Sequence, residues 1–271
     1  MAISDISLTA GMRNNLLGLQ KTAQQLSQTQ ERLGSGKKVN TALDNPTNFF
    51  AAQAATNRAS DLGDRKDGMS EAVQTIKSAD NGISAITSLI QSAKGLASAA
   101  TATNDTLSQV TYESQFVAIQ SQITTLASDA GYRGTNLLTD GTLSIEFSQK
   151  TGDANLTVKG FKADANTLGV TSTANWSTVA NATQALANMD NALTTLRTKS
   201  STLASNLSVI TTRQDFTNSM INTLQQGADG LTLADMNQEG ANMLMLQTRQ
   251  SLGTTALSMS SQAAQSVLRL F

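Results

Sequence analysis

The chain has 271 residues, 19 Lys+Arg against 20 Asp+Glu, a formal net charge of -1, and neither cysteine nor histidine. The two absences exclude disulfides, thiolate nucleophiles, Ser-His-Asp triads and His- or Cys-based metal sites, because each needs a thiol or an imidazole. The near-neutral charge argues against a nucleic-acid partner, which demands Lys and Arg in excess to neutralise phosphates.

Hydrophobic residues make up 39% of the chain, charged residues 14% and aromatics 4%. With few large side chains to fill a globule, such a composition suits long helices that bury narrow stripes. No stretch approaches the ~20 apolar residues of a membrane helix, so no membrane partner is expected. Met1 to Gly18 lacks the basic and apolar regions of a secretory signal. Any export is expected to proceed without a cleaved leader.

The first heptad runs over residues 5–33. Met12, Leu19, Leu26 and Leu33 recur every seven residues, with Leu16 and Ala23 four after the first two. This is the seam of a helix that pairs with another helix. Gly34-Ser35-Gly36 breaks it, and a short polar connector follows. Asn45-Pro46 reads as a helix start, with Asn45 as N-cap and Pro46 in the first helical position. The helix over 45–100 carries Leu62, Met69, Ile76, Ile83, Ile90 and Ala97, flanked by Ala72, Ala79, Ile86 and Ala93.

Asn104-Asp105 marks a turn into a helix over 105–130, striped by Tyr112, Phe116, Ile119, Ile123, Leu126 and Ala130. The period then changes. Leu143, Ile145 and Phe147 alternate with polar residues, as do Leu156 and Val158, with Thr151-Gly152-Asp153 between them. This predicts a β-hairpin over 142–161. A long helix over 176–226 follows, seamed by Leu186, Leu193, Leu207 and Ile221 with Met189, Leu196, Leu203 and Ile210. Gly227 and Gly230 are expected to end it. The last heptad is Met236, Met243, Gln250, Leu257, Ala264 and Phe271, with Leu246 and Val267 at companion positions.

The predicted fold is mainly α: a long helical bundle or coiled coil of paired N- and C-terminal segments, with one small β-hairpin insert. Residues 1–35 form one terminal helix, 36–232 the central region and 233–271 the other terminal helix. A lone terminal helix, and even the terminal pair, buries too little to do more than marginally offset the entropy of ordering it. The ends are therefore expected to order on assembly.

Candidate chemical sites are few. Gly34-Ser35-Gly36-Lys37-Lys38 lacks the spacing of a phosphate loop and reads as a helix break. Asp61, Asp64 and Asp67 alternate with Arg65 and Lys66, as a solvated helix face does. Met236, Met243, Met245 and Met259 read as packing residues. No catalytic, cofactor-binding or metal residue is assigned, and the chain is not expected to be an enzyme.

Four segments carry a family resemblance. Arg32-Leu33-Gly34-Ser35-Gly36-Lys37-Lys38-Val39-Asn40 resembles the Arg-Leu-Ser-Ser-Gly-x-x-Ile-Asn segment of bacterial flagellin. Asp67-Gly68-Met69-Ser70 is similar to its Asp-Gly-Ile-Ser. Tyr132-Arg133-Gly134-Thr135-Asn136-Leu137-Leu138 resembles its Phe-Asn-Gly-x-x-Leu-Leu. Gln262-Ala263-Ala264-Gln265-Ser266-Val267-Leu268-Arg269-Leu270 resembles its Gln-x-x-Gln-x-Val-Leu-x-Leu ending. The resemblance spans about residues 1–140 and 176–271.

The resemblance implies a secreted, extracellular subunit that self-assembles into a helical filament for swimming. It implies export of the unfolded chain through the flagellum's own type III channel, without a cleaved signal. The implied partners are further copies of the chain, sister flagellins, the export apparatus and its chaperone, and the junction and cap proteins. The terminal helices would form the inner tube and the central region the outer tube. Self-assembly is assigned to Leu16, Leu19, Leu26, Leu33, Met236, Met243, Leu246, Leu257, Val267 and Phe271. One segment departs: Asp44-Asn45-Pro46-Thr47-Asn48-Phe49-Phe50 stands where the family has Asp-Asp-Ala-Ala-Gly. A proline there resembles the hook–filament junction protein, which is the alternative reading.

Overall fold

A computed structural model describes residues 10–148, 155–171, 175–176 and 178–268, with residues 267 and 268 described by backbone alone. In chain order the elements are α1 (Ala10–Ser35), α2 (Pro46–Ala102), α3 (Thr106–Asp129), β1 (Thr142–Glu146), β2 (Asn155–Lys159), α4 (Val179–Thr232) and α5 (Met236–Leu268). The chain folds as two compact units. One comprises residues 1–57 with 224–271, and the other residues 58–223. Both divisions fall inside long helices, α2 and α4.

Each helix end has a local cause. Gly36 closes α1 at a left-handed φ of 71°, and its N–H donates to the Arg32 carbonyl at 2.8 Å, as a glycine C-cap does. Asn45 caps α2 by accepting from the Asn48 N–H at 3.0 Å. Asp105 caps α3 through the Leu107 and Ser108 N–H groups. Bonds from the Ser108 side chain and backbone, then from Leu107, hold the Asp105 carboxyl below the usual carboxylate range against the pull of desolvation. Asp235 caps α5 by accepting from Asn237 and Gln238.

In the 58–223 unit, the predicted α2 stripe is the core. Met69, Ile76, Ile86 and Ile90 are fully buried, with Phe116 and Ile123 of α3 and Met189, Leu196 and Ile210 of α4 in the same cluster. Trp176 precedes α4 rather than starting it. It is buried, lies 4.8 Å from the Phe116 ring, and donates its backbone N–H to Glu113 at 2.9 Å. The strands pair antiparallel, with Leu143 opposite Val158 and Ile145 opposite Leu156. Ile145 and Val158 point into the core. The predicted turn Thr151-Gly152-Asp153 lies outside the described residues.

Before β1, Tyr132 and Thr135 exchange backbone hydrogen bonds of 2.9 and 3.0 Å. Arg133 at φ 46° and Gly134 at φ 84° sit between them, the geometry of a type I′ turn. Cation–π contacts tie α4 to the hairpin region, with Arg213 5.3 Å from the Phe147 ring and Lys199 5.4 Å from Phe161.

One boundary is corrected. The expected stop of the fourth helix at 226 does not occur, and α4 continues through Gly227 and Gly230 to Thr232. A helical glycine costs only about 1 kcal/mol relative to alanine, too little by itself to end a helix of 54 residues. Among the described residues, no helix is long and apolar enough to cross a membrane.

Candidate assembly surface

The unit of residues 1–57 and 224–271 is organised by α1 against α5. Two contacts fix their direction. Arg32 bonds Glu239 at 3.1 Å, and Leu19 lies over Gly253. Thirteen residues back along α1 match fourteen forward along α5, so the pair is antiparallel.

The α1 seam is Met12, Leu19, Leu26 and Leu33 with a second column at Asn15, Thr22 and Thr29. Met12, Thr22 and Thr29 are buried. This corrects the expected companion column: Leu16 is 38% exposed, and Ala23 is also exposed. The second column falls three residues after the first, not four. Thr22 tolerates burial because its hydroxyl donates to the Gly18 carbonyl one turn back, at 2.9 Å.

On α5 the seam is Glu239, Met243, Leu246, Gln250, Gly253, Leu257, Ser260 and Ala264, with Leu246 and Glu239 buried. Glu239 is the one buried carboxylate of the seam, and Arg32 neutralises it. A groove of about 250 Å³ beside this pair is lined by Gln25, Thr29, Arg32, Glu239, Leu246 and Arg249. Its mostly polar wall suits water better than an apolar ligand.

The connectors clamp the far end of the pair. Lys38 and Val39 donate to the Thr232 carbonyl at 2.7 and 3.3 Å, and Ala234 donates to the Gly36 carbonyl at 3.0 Å. Val39 is buried beneath them.

The predicted assembly residues therefore separate into groups. Leu19, Leu26, Leu33, Met243, Leu246 and Leu257 are buried or half-buried in the heptad columns of α1 and α5. Leu16 and Met236 are exposed. Val267 lies on α5 but its side chain is outside the described residues, as is Phe271 entirely. An exposed apolar set lies on the same helices: Leu17, Leu244, Met245, Leu252 and Met259, each at least half exposed. This corrects the expectation that Met245 and Met259 are packing residues, and sequence reading passed over the three leucines. The sevenfold spacing of Met245, Leu252 and Met259 was a legible signal.

Elsewhere, Asp64 and Asp67 are exposed, and Arg65 pairs with Glu146 of β1. No group of three acidic residues among the described ones is placed to hold a metal ion.

Paired end helices with a filled seam and an apolar outer stripe define a helical structural protein built to associate. The comparisons with known proteins give the particular kind. The bacterial flagellin N-terminal helical region matches residues 6–142, and the C-terminal helical region matches residues 186–271. Flagellin FljM of Caulobacter vibrioides is 30% identical over 272 residues, covering 100% of both chains. Flagellin FljK of the same organism is 29% identical with the same coverage. A Brucella melitensis flagellin is 28% identical over 93% of this chain and 94% of its own length. The chain belongs to the bacterial flagellin family.

It is a structural subunit of the flagellar filament, the self-polymerised extracellular part of the organelle. Full-length matches to flagellins favour this over the junction-protein alternative.

Proposed function

We propose that, contrary to the expectation that the ends order only on assembly, the subunit already pairs α1 with α5 inside one chain and polymerises through the apolar residues this pairing leaves outside. The carrying observation is the stripe of Leu244, Met245, Leu252 and Met259, exposed on a helix whose opposite seam is already occupied. A row of exposed apolar side chains at sevenfold spacing suits an interaction with another helix. Leu16, Leu17 and Met236 are further exposed apolar residues on other faces of the pair and are assigned to assembly there, while Leu19, Leu26, Leu33, Met243, Leu246 and Leu257 hold the pair that presents the stripe. Val267 and Phe271 continue the same heptad register and are assigned to the same assembly.

On this reading residues 1–35 and 233–271 supply the inner tube and 36–232 the outer tube. The function is mechanical: a polymer that transmits motor torque as thrust, with no catalysis. Sister flagellins, the export apparatus, an export chaperone, and the junction and cap proteins are the partners that such a life cycle requires.

The test separates seam from stripe. Leu252→Asp places a charge on an exposed site, so the monomer keeps its helicity. The concentration needed for polymerisation should rise at least tenfold, about 1.4 kcal/mol. Leu26→Asp and Leu257→Asp instead part α1 from α5, and lose filaments together with terminal helicity. Normal filaments from Leu252→Asp, counted by electron microscopy, would refute the stripe.

A further inference from the structure

The hydrophobic seam between α1 and α5 does not by itself choose one alignment. Met12, Leu19, Leu26 and Leu33 repeat every seven residues on one helix, as Met243, Gln250 and Leu257 do on the other. A slip of seven residues, about 10 Å along the axis, lays one heptad column on the same heptad column again.

Two contacts break this degeneracy, and they agree on the alignment. Arg32 Nη1 lies 3.1 Å from Glu239 Oε1 at one end. Nearer the middle, Leu19 lies over Gly253, where a Cβ would fall 2.7 Å from Leu19 Cδ2. Thr22 then stands level with Gln250. Slipped one way, Leu19 would come level with Leu246, which has a side chain where Gly253 has none. Glu239 would come level with Leu26, and its buried carboxylate would have lost its cation. Slipped the other way, Arg32 would come level with Leu246, and Glu239 would pass beyond the end of α1 at Ser35.

A buried ion pair is a weak source of net stability, because desolvation of the two ions offsets their attraction. It does penalise every arrangement that parts them, which is a source of specificity. We propose that Arg32 and Glu239 are register-setting residues: they select one alignment of α1 on α5 from the heptad-spaced alternatives and add little to the strength of the pairing. The inference rests on the reading that the two helices pair inside one chain. The main-chain clasp from Lys38 and Val39 to Thr232 and from Ala234 to Gly36 lies at the same end, and the test leaves it in place.

The chain has no cysteine, so introduced pairs report alignment directly. Thr22→Cys is combined in turn with Gln250→Cys, Met243→Cys and Leu257→Cys. The first reports the alignment of the structure, and the others report slips of seven residues in either direction. Each full-length monomer is oxidised in dilute solution, and the internally cross-linked band is quantified. With Arg32 and Glu239 in place, the 22–250 disulfide should exceed each of the others by about tenfold or more. With Arg32→Met/Glu239→Leu added, the three yields should come within about threefold of one another, while amide exchange shows α1 still protected.

A preference for 22–250 that survives the double replacement gives the alignment to the clasp or to Gly253 and overturns the proposal. Loss of all three cross-links together with the protection of α1 makes the ion pair a source of stability, and overturns it as well. If no cross-link forms while Arg32 and Glu239 are in place, the pairing reading itself fails, and the proposal with it.

Discussion

Gly253 and Gly240 both lie within α5, and alanine at the two sites should act in opposite ways. Alanine in a helix interior gains about 1 kcal/mol over glycine. At Gly240 a Cβ would meet no neighbour within 4 Å, so the gain should appear in full. At Gly253 a Cβ would lie 2.7 Å from Leu19 Cδ2 and 3.1 Å from its Cγ. Overpacking of this kind costs about 1–3 kcal/mol. The overlap cancels the propensity gain or exceeds it, and the variants should differ by about 1–3 kcal/mol, roughly 5–150-fold in the local opening equilibrium. Millisecond amide exchange on the full-length monomer reads this directly, using peptides from α1 and α5. Gly240→Ala should slow exchange about fivefold. Gly253→Ala should leave it unchanged or speed it. Adding Leu19→Ala to Gly253→Ala should recover part of the loss, with a coupling of about 0.5–3 kcal/mol. Equal slowing by both alanines would show that Leu19 does not lie over Gly253, and the antiparallel register built on that contact would fall with it.

Two further predictions concern the connector and the core. Bonds from Thr41 and Asn40 amides hold the Asp44 carboxyl below its ordinary 3.8, against a smaller opposing effect of desolvation. The folded value is the lower one, so this carboxylate's contribution is complete above 3.8 and is lost as pH falls through the folded value. A carboxyl titration by NMR should show a midpoint below 3.8, with the Asn40 and Thr41 amide shifts moving together. A midpoint at or above 3.8 would contradict the loop geometry. Gly160→Ala should destabilise the 58–223 unit by about 3 kcal/mol or more, because its Cβ would fall 2.4 Å from the Leu137 carbonyl oxygen and 2.5 Å from that of Gly141. Backbone atoms cannot swing aside as a side chain can. Fluorescence of Trp176, the single tryptophan and fully buried, should report a melting point lower by several degrees, and an unchanged melt would refute the close approach.

Much of the fold was legible in the residues because helical periodicity is a local property. The α2 stripe from Leu62 to Ala97 is buried along its whole length. The N-cap at Asn45 was equally legible, since a cap involves only the next three residues; Asp105, read only as part of a turn, proved to be the cap of α3. The alternation in 142–147 and 156–158 announced paired strands for the same reason.

What the chain alone left open was which of two neighbouring columns a seam would use. Beside Met12, Leu19, Leu26 and Leu33, the column four residues on offers Leu16 and Ala23, and the column three residues on offers Asn15, Thr22 and Thr29. Hydrophobicity alone selects the first. The structure selects the second, because α5 approaches from that side, and Thr22 can satisfy its hydroxyl within its own helix. The same choice turns Leu16 outward. In α4, Gly227 and Gly230 were local signals to stop, and at about 1 kcal/mol each they do not end the helix. The sequence by itself determined that the two ends carry helices with seams to fill. Only the tertiary structure decided which apolar residues the chain buries against itself and which it leaves exposed, because that division depends on where a partner helix lies and not on any residue's own preference.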